Sequence, residues 1–131
     1  MNELSKIIEL NVIHALNEDI GTGDITVQLI PEGATLEVKL ICRESAILCG
    51  ADWFNLSFLK MDPDIQIEWL VTDGEQMKTD QTVCKLKGHA RSILSAERTA
   101  LNFLQTLSAT ATITHQYQKL ISKTSCRILD T

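Results

Sequence analysis

The feature that most constrains this chain is a long stretch without helix breakers in its last third. From Arg91 to about Ser122 the sequence contains neither glycine nor proline, and Ser92 or Ser95 can cap the start of a helix. We therefore predict one long helix, or two abutting helices. Gly88, just before it, marks the only plausible boundary in a chain without repeats or a linker.

The predicted helix has one apolar face. When the residues are placed at 100° intervals, Glu97 falls in the middle of that face. An ionised group on a packing face costs several kcal/mol unless it is paired, so we expect a buried structural acid held by an arginine or by backbone amides, with catalysis as the less favoured alternative. The apolar positions that share this face are Ile93, Leu94, Ala100, Leu101, Leu104, Leu107 and Ala111.

Two arginines follow the edge of the same face. Arg91 and Arg98 are seven residues apart and therefore nearly in line, with Asn102 and Gln105 beside them. Guanidinium groups are suited to carboxylate or phosphate, which predicts an anion-binding edge. From spacing alone, a surface salt bridge explains Arg98 equally well.

The N-terminal part is predicted to be a helix followed by a glycine loop. Apolar residues recur at helical spacing from Leu4 to Leu16, and the pattern ends near Asp19. Gly21 and Gly23 then favour a tight turn, because a third glycine and a preceding strand, which a dinucleotide site requires, are missing. The alternative interpretation is a loop that closes over a neighbouring site.

The middle of the chain is predicted to contain strands and one short helix. Alternation predicts a strand from Thr35 to Arg43 and an adjacent one over residues 46–48, and a helix follows over residues 51–59. Residues 65–69 and 83–86 are predicted to form a hairpin with a polar connection.

The hairpin connection also resembles the strand-turn-strand unit of lipoyl and biotinyl carrier domains. In those domains a lysine at a tight turn takes the cofactor, and Lys78 lies in the corresponding region. A full carrier motif does not surround it, so shared architecture is the favoured interpretation, and a carrier or interaction module is kept as an alternative function.

Composition excludes several classes of partner. The 131 residues carry a net charge of −5 with scattered cations, which argues against nucleic acid. No apolar run approaches the roughly 20 residues that span a bilayer, and the N-terminus lacks a signal pattern, so we expect no membrane partner and a cytoplasmic protein.

Cysteine and histidine spacing predicts no metal site. The cysteines lack a paired motif, so buried free thiols are expected, and each histidine lies in a different predicted element. These residues are Cys42, Cys49, Cys84, Cys126, His14, His89 and His115.

Three motifs in order resemble one enzyme family. Residues 96–108 (AERTALNFLQTLS), residues 18–26 (EDIGTGDIT) and the closing Asp130-Thr131 are similar to quinolinate phosphoribosyltransferase, also called carboxylating nicotinate-nucleotide pyrophosphorylase. The resemblance extends from about Ala15 to the end of the chain. It implies an α+β fold in which a mixed sheet is layered with helices.

The resemblance also implies a division into domains. Residues 1–109 would be the N-terminal domain of a type II phosphoribosyltransferase, and residues 110–131 would begin its C-terminal α/β barrel, of which the chain holds only the first strand. Because such a barrel needs roughly 200 further residues, we expect a truncated enzyme that is inactive by itself.

The family reaction joins quinolinate to phosphoribosyl pyrophosphate with Mg²⁺, releasing pyrophosphate and carbon dioxide and yielding nicotinate mononucleotide for NAD synthesis. The resemblance implies that Arg98 reaches the active site of a homodimer partner and contacts quinolinate there. Thr131 would belong to a second quinolinate-binding motif that continues into Arg-Lys-Thr. No catalytic residue and no metal ligand are assigned to this chain.

Two points qualify the match to the family. Where the family often has Ser-Gly-x-Ala-Thr, this chain has Ala109, which favours helix and predicts a straighter or shifted junction. A related type II phosphoribosyltransferase that acts on nicotinate or another anionic base shares the architecture and is the second candidate.

Overall fold

The computed structural model describes residues 2–20 and 25–129, which form helices packed on small antiparallel sheets. This arrangement confirms the predicted α+β class. The long breaker-free segment is a single helix rather than two. In chain order the elements are α1 (Glu3–Ile20), α2 (Ile25–Gln28), β1 (Thr35–Ile41), β2 (Ala46–Ile47), α3 (Ala51–Met61), β3 (Gln66–Trp69), β4 (Gln76–Met77), β5 (Thr82–His89) and α4 (Ala90–Ile121).

The larger sheet has the strand order β1-β5-β3, with both pairs antiparallel. Leu86 lies at its centre, opposite Val38 on one side and Ile67 on the other. Side chains alternate between the faces, so Lys85 and Lys87 point away from the core. The β3–β5 pairing confirms the predicted hairpin.

The first two strands are not neighbours, contrary to the prediction of two adjacent strands. β1 pairs with β5, whereas β2 pairs with β4 in a separate two-stranded sheet, where Ala46 lies opposite Met77. The backbone N–H of Cys42 donates to Gln81 O at 2.9 Å, just beyond the end of β1. Partner choice therefore depends on long-range backbone pairing that local alternation does not encode.

The main core lies where α3 and α4 pack against the larger sheet. Phe54 is almost completely buried and meets the rings of Phe58 and Trp69 edge to face, at centroid distances of 4.9 and 5.1 Å. Gly50, at the start of α3, has φ +103, and an added Cβ would lie 2.7 Å from a Leu107 methyl group. A glycine is thus required for α3 to approach α4 this closely.

The N-terminal helix forms a second, smaller cluster. α1 buries only Ile8, Val12 and Leu16, which pack against α3 and α4. Leu4 and Ile7, which the helical pattern also includes, are 52% and 47% exposed. α1 is therefore a separate layer that lies over the main core.

Glu97 does not point into packed structure as predicted; it is exposed. The buried stripe of α4 runs one position earlier, through Ile93, Ala96, Ala100 and Leu104. Small side chains at Ala96 and Ala100 let the neighbouring elements approach the helix there. The predicted face was wrong because it included large apolar residues such as Leu94, which is exposed.

The C-terminal segment differs from the prediction in one respect. Residues 126–129 have no regular secondary structure, so the predicted first barrel strand is not formed among the described residues. A strand is defined by hydrogen bonds to a neighbouring strand, and none lies beside this segment in the part of the chain described. Gly21, Gly23 and Thr131 lie outside the described residues.

Candidate functional site

A groove of about 790 Å³ lies between α1, α3 and α4. Its volume is within the range of small-molecule sites, and both polar and apolar side chains line it. The residues that line it are Asn11, Ala15, Glu18, Asp19, Trp53, Arg98, Thr99, Asn102, Phe103, Thr106 and Leu107.

Arg98 lies on the α4 side of this groove. Its side chain is 78% exposed, and its partner among the described residues is Asp19, whose Oδ1 accepts from Nη1 at 3.4 Å. A guanidinium has five N–H donors, so most of its hydrogen-bonding capacity is available to an anion. This geometry is consistent with the sequence prediction that Arg98 can contact a carboxylate.

Asp19 connects the end of α1 to two successive residues of α4. While Oδ1 accepts from Arg98, Oδ2 accepts from the hydroxyl of Thr99 at 3.1 Å. Thr99 is buried, and the Asp19 side chain is only 24% exposed. Asp19 belongs to the 18–26 motif, but the sequence does not connect it with Arg98, because no local pattern links positions 79 residues apart.

The predicted anion-binding edge does not exist as a continuous feature. Arg91 donates from Nε to Ile30 O at 2.7 Å and from Nη2 to Gln28 O at 3.4 Å, so it holds the segment after α2 against α4. Gln105 lines a different groove, between α4 and the β1–β2 region. Only Arg98 and Asn102 of the predicted set therefore belong to the candidate site.

Two further side-chain contacts place α1 at the groove. Trp53 Nε1 donates to Asn11 Oδ1 at 3.3 Å, and Lys60 Nζ forms an ion pair with Glu9 Oε1 at 2.6 Å. Both join α3 to α1, so three helices are held in the arrangement that forms the groove.

Two hydroxyls of α4, at and beyond the end of the 96–108 motif, connect the helix to β2 and the residues after it. Ser108 Oγ accepts from Cys49 N at 3.0 Å, and Thr112 Oγ1 accepts from Ile47 N at 2.8 Å. These hydroxyls satisfy backbone groups that no strand covers on this side. Ala109 lies within the helix, which continues through the predicted domain boundary at 109/110 without a break.

A second polar pair lies at the junction of β5 and α4. His89 Nδ1 is 2.8 Å from Asp62 Oδ2, and the Asp64 N–H donates to Asp62 Oδ1 at 3.0 Å. The Asp64 N–H, the His89 ring and Ser92 together hold the pKa of the Asp62 carboxyl below its usual range. The pair fastens the end of α3 to the start of α4, away from the groove residues.

The described residues contain no group of three or more histidine, cysteine or acidic side chains that could hold a metal ion. The Mg²⁺ requirement stays a prediction for the complete protein. Cys42, Cys49, Cys84 and Cys126 are free thiols, but only Cys84 is fully buried and Cys126 is exposed. Burial raises the pKa of Cys84 to about 12, which disfavours its reactive thiolate.

No described helix is both long and apolar enough to cross a bilayer.

Comparison with known proteins decides the family. The family described as "Quinolinate phosphoribosyl transferase, N-terminal domain" matches residues 24–108, which is more than half of the chain. The chain belongs to this family. The match includes Arg98 and also Lys78, so the hairpin is part of a quinolinate phosphoribosyl transferase N-terminal domain rather than of a carrier module.

Individual relatives agree with the family. The chain is 33% identical over 131 residues to the probable carboxylating nicotinate-nucleotide pyrophosphorylase of Bacillus subtilis, covering 100% of this chain and 45% of that protein. It is 35% identical over 114 residues to decarboxylating quinolinate phosphoribosyltransferase 1b of Nicotiana tabacum, covering 86% and 31%. This chain thus spans less than half the length of these relatives.

A solved structure shows the same arrangement. The nicotinate-nucleotide pyrophosphorylase of Francisella tularensis superposes with a TM-score of 0.92 at 45% identity, covering 97% of this chain and 46% of that one. The likeness extends beyond the matched family region to nearly the whole chain, including α1.

Proposed function

We propose that this chain is the N-terminal part of an enzyme that converts quinolinate and phosphoribosyl pyrophosphate to nicotinate mononucleotide, pyrophosphate and carbon dioxide. The names of the relatives, all of them phosphoribosyltransferases or pyrophosphorylases of this kind, support the reaction. The exposed guanidinium of Arg98 at the edge of the groove is the observation that carries the proposal for this chain.

In this proposal Arg98 recognises a carboxylate of quinolinate in the active site of a dimer partner. Quinolinate is a dicarboxylate, and a guanidinium binds a carboxylate through two parallel N–H donors. Arg98 stands on a helix that bonds to neighbouring elements through Thr99 and, nine residues further on, through Ser108. A rigid base of this kind limits the entropy lost when the side chain binds.

The remaining parts of the proposal concern the complete protein. Phosphoribosyl pyrophosphate, Mg²⁺, Thr131 and the barrel would complete the site outside this domain, the enzyme would be a homodimer, and it would act in the cytoplasm. Such a division assigns to this chain the binding of one substrate and no bond-breaking step.

The first test is the Arg98→Ala variant of the full-length enzyme, with quinolinate and phosphoribosyl pyrophosphate varied separately. Loss of a charge-assisted contact of about 1.5–3 kcal/mol should lower kcat/KM for quinolinate by about tenfold to a hundredfold. The KM for phosphoribosyl pyrophosphate should change little. Arg43→Ala removes another exposed arginine, outside the groove, and serves as the matched control. Unchanged quinolinate kinetics in Arg98→Ala would disprove the assignment.

A subunit-mixing experiment tests whether Arg98 acts across the dimer. Subunits with Arg98→Ala are combined with subunits inactivated at the barrel arginine that we expect after Thr131. If Arg98 acts in the partner, mixed dimers regain one complete site and release carbon dioxide from quinolinate. Absence of recovery would mean that Arg98 acts within its own subunit.

A separate assay with nicotinate tests the second candidate function. Turnover of nicotinate without carbon dioxide release would favour the related type II enzyme.

A further inference from the structure

The end of α1 and the site side of α4 are joined by a single carboxylate. Asp19 is the second-last residue of α1, and its two oxygens bind different side chains of α4, Arg98 at 3.4 Å and Thr99 at 3.1 Å. The Thr99 hydroxyl is part of a buried side chain, so this oxygen of Asp19 has a fixed position. The other oxygen is thereby directed at the guanidinium.

We infer that Asp19 positions Arg98 for binding quinolinate, so that Asp19 is a positioning residue of this enzyme. The inference rests on the proposed role of Arg98. A free arginine side chain loses about 0.5–1.5 kcal/mol of rotamer freedom when a ligand orders it. A carboxylate that already holds Nη1 removes part of that cost before the substrate arrives.

The contact geometry favours positioning over competition between Asp19 and the substrate. A carboxylate that blocked the site would occupy the guanidinium through two short bonds, whereas here one N–H contacts Asp19 at the long distance of 3.4 Å. The Arg98 side chain remains 78% exposed, so its other donors face solvent. The substrate can therefore bind without displacing Asp19.

Asp19→Ala and Asp19→Asn in the full-length enzyme test the inference. The KM for quinolinate should rise about two- to tenfold in Asp19→Ala, which corresponds to the rotamer cost above, and less in Asp19→Asn, whose amide oxygen can still accept from Arg98. The KM for phosphoribosyl pyrophosphate and the kcat should change little. Glu18→Gln removes one negative charge from the same helix end and leaves the Asp19–Arg98 contact in place. Because Glu18 also lines the groove, positioning requires that the rise in Asp19→Ala exceed the rise in Glu18→Gln.

Combining each variant with Arg98→Ala separates positioning from a merely structural role. If Asp19 acts through Arg98, Asp19→Ala should not raise the quinolinate KM further once Arg98 is absent. An equal rise in both backgrounds would mean that Asp19 only stabilises the fold, and would overturn the inference. A lowered KM in Asp19→Ala would show competition with the substrate and would also overturn it.

These variants distinguish a failure of the Asp19 role from a failure of the Arg98 role. If Arg98→Ala alone weakens quinolinate use while Asp19→Ala and Asp19→Asn do not, only the role of Asp19 fails. If Arg98→Ala has no effect on quinolinate use, the proposed function of Arg98 fails and the inference fails with it.

Thr99→Val removes the hydroxyl that holds Asp19. It should raise the KM for quinolinate, by less than Asp19→Ala does.

Discussion

The main core and the α1 layer of this domain differ in how they are held together. In the main core, side chains from α3, α4 and the larger sheet form one extensive buried cluster around Phe54. α1 buries three side chains and depends on polar contacts for the rest, among them Lys60 with Glu9 and Asp19 with Thr99. The candidate groove lies where these two regions meet.

The α1 layer should open more easily than the main core. Local opening of a protein begins where few apolar contacts hold an element, and α1 satisfies that description better than α4. Arg98 stands on the strongly held helix, whereas Asp19, its partner, stands on the weakly held one. The geometry around Arg98 should therefore respond to changes in α1 that leave the main core folded.

The largest effect is expected from Phe54→Ala in the main core. Removing this ring leaves a cavity between Phe58 and Trp69, which should lower the free energy of unfolding by about 3–5 kcal/mol. Denaturant unfolding of this chain measures the change, and Leu70→Ala, at an exposed leucine, is the control. A loss no larger than that of the control would mean that this cluster does not determine stability.

A smaller and more local effect is expected from Val12→Ala in α1. Two methyl groups are lost from a fully buried position, which corresponds to about 2 kcal/mol. Amide hydrogen exchange should accelerate throughout α1 but much less in β5, and Leu10→Ala, at an exposed position of the same helix, should change neither. Equal acceleration in β5 would show that the two regions unfold as one unit.

The smallest effect concerns pH and the Asp62–His89 pair, which fastens the end of α3 to the start of α4. The pKa of Asp62 is lower in the folded chain than its ordinary value of 3.8, so its contribution to stability is complete above that value and is lost as the pH falls through the folded pKa. Asp62→Asn should therefore be less stable than the wild type at neutral pH, with a difference that shrinks below pH 3.8. Thermal unfolding between neutral and acidic pH tests this, and a constant difference at all pH values would contradict it.

Local patterns in the sequence predicted most elements of the fold. The breaker-free run predicted α4, alternation predicted the β3–β5 hairpin, and the helix predicted over residues 51–59 is found as α3. These features depend on neighbours in the chain and on the period of apolar residues. Partner choice between β1 and β2 could not be predicted in this way, because many pairings satisfy the same alternation.

The two charges in the Glu97-Arg98 pair show the same limit at the site. Helical geometry alone placed Glu97 in a buried stripe, but the stripe passes through Ala96 and Ala100, where small residues admit neighbouring helices. Which side of a helix is buried depends on what packs against it, and that is a property of the whole domain. Arg98 was identified through its motif, and its exposure agrees with that assignment.

The sequence by itself determined where most of the helices and strands form and which family the chain belongs to, and its motif singled out Arg98, because these follow from local periodicity and from residue identity at fixed spacing. The tertiary structure alone decided the partner of Arg98. Asp19 is 79 positions from Arg98 and 80 positions from Thr99 along the chain. Only the packing of α1 against α4 brings its carboxylate within hydrogen-bonding distance of both.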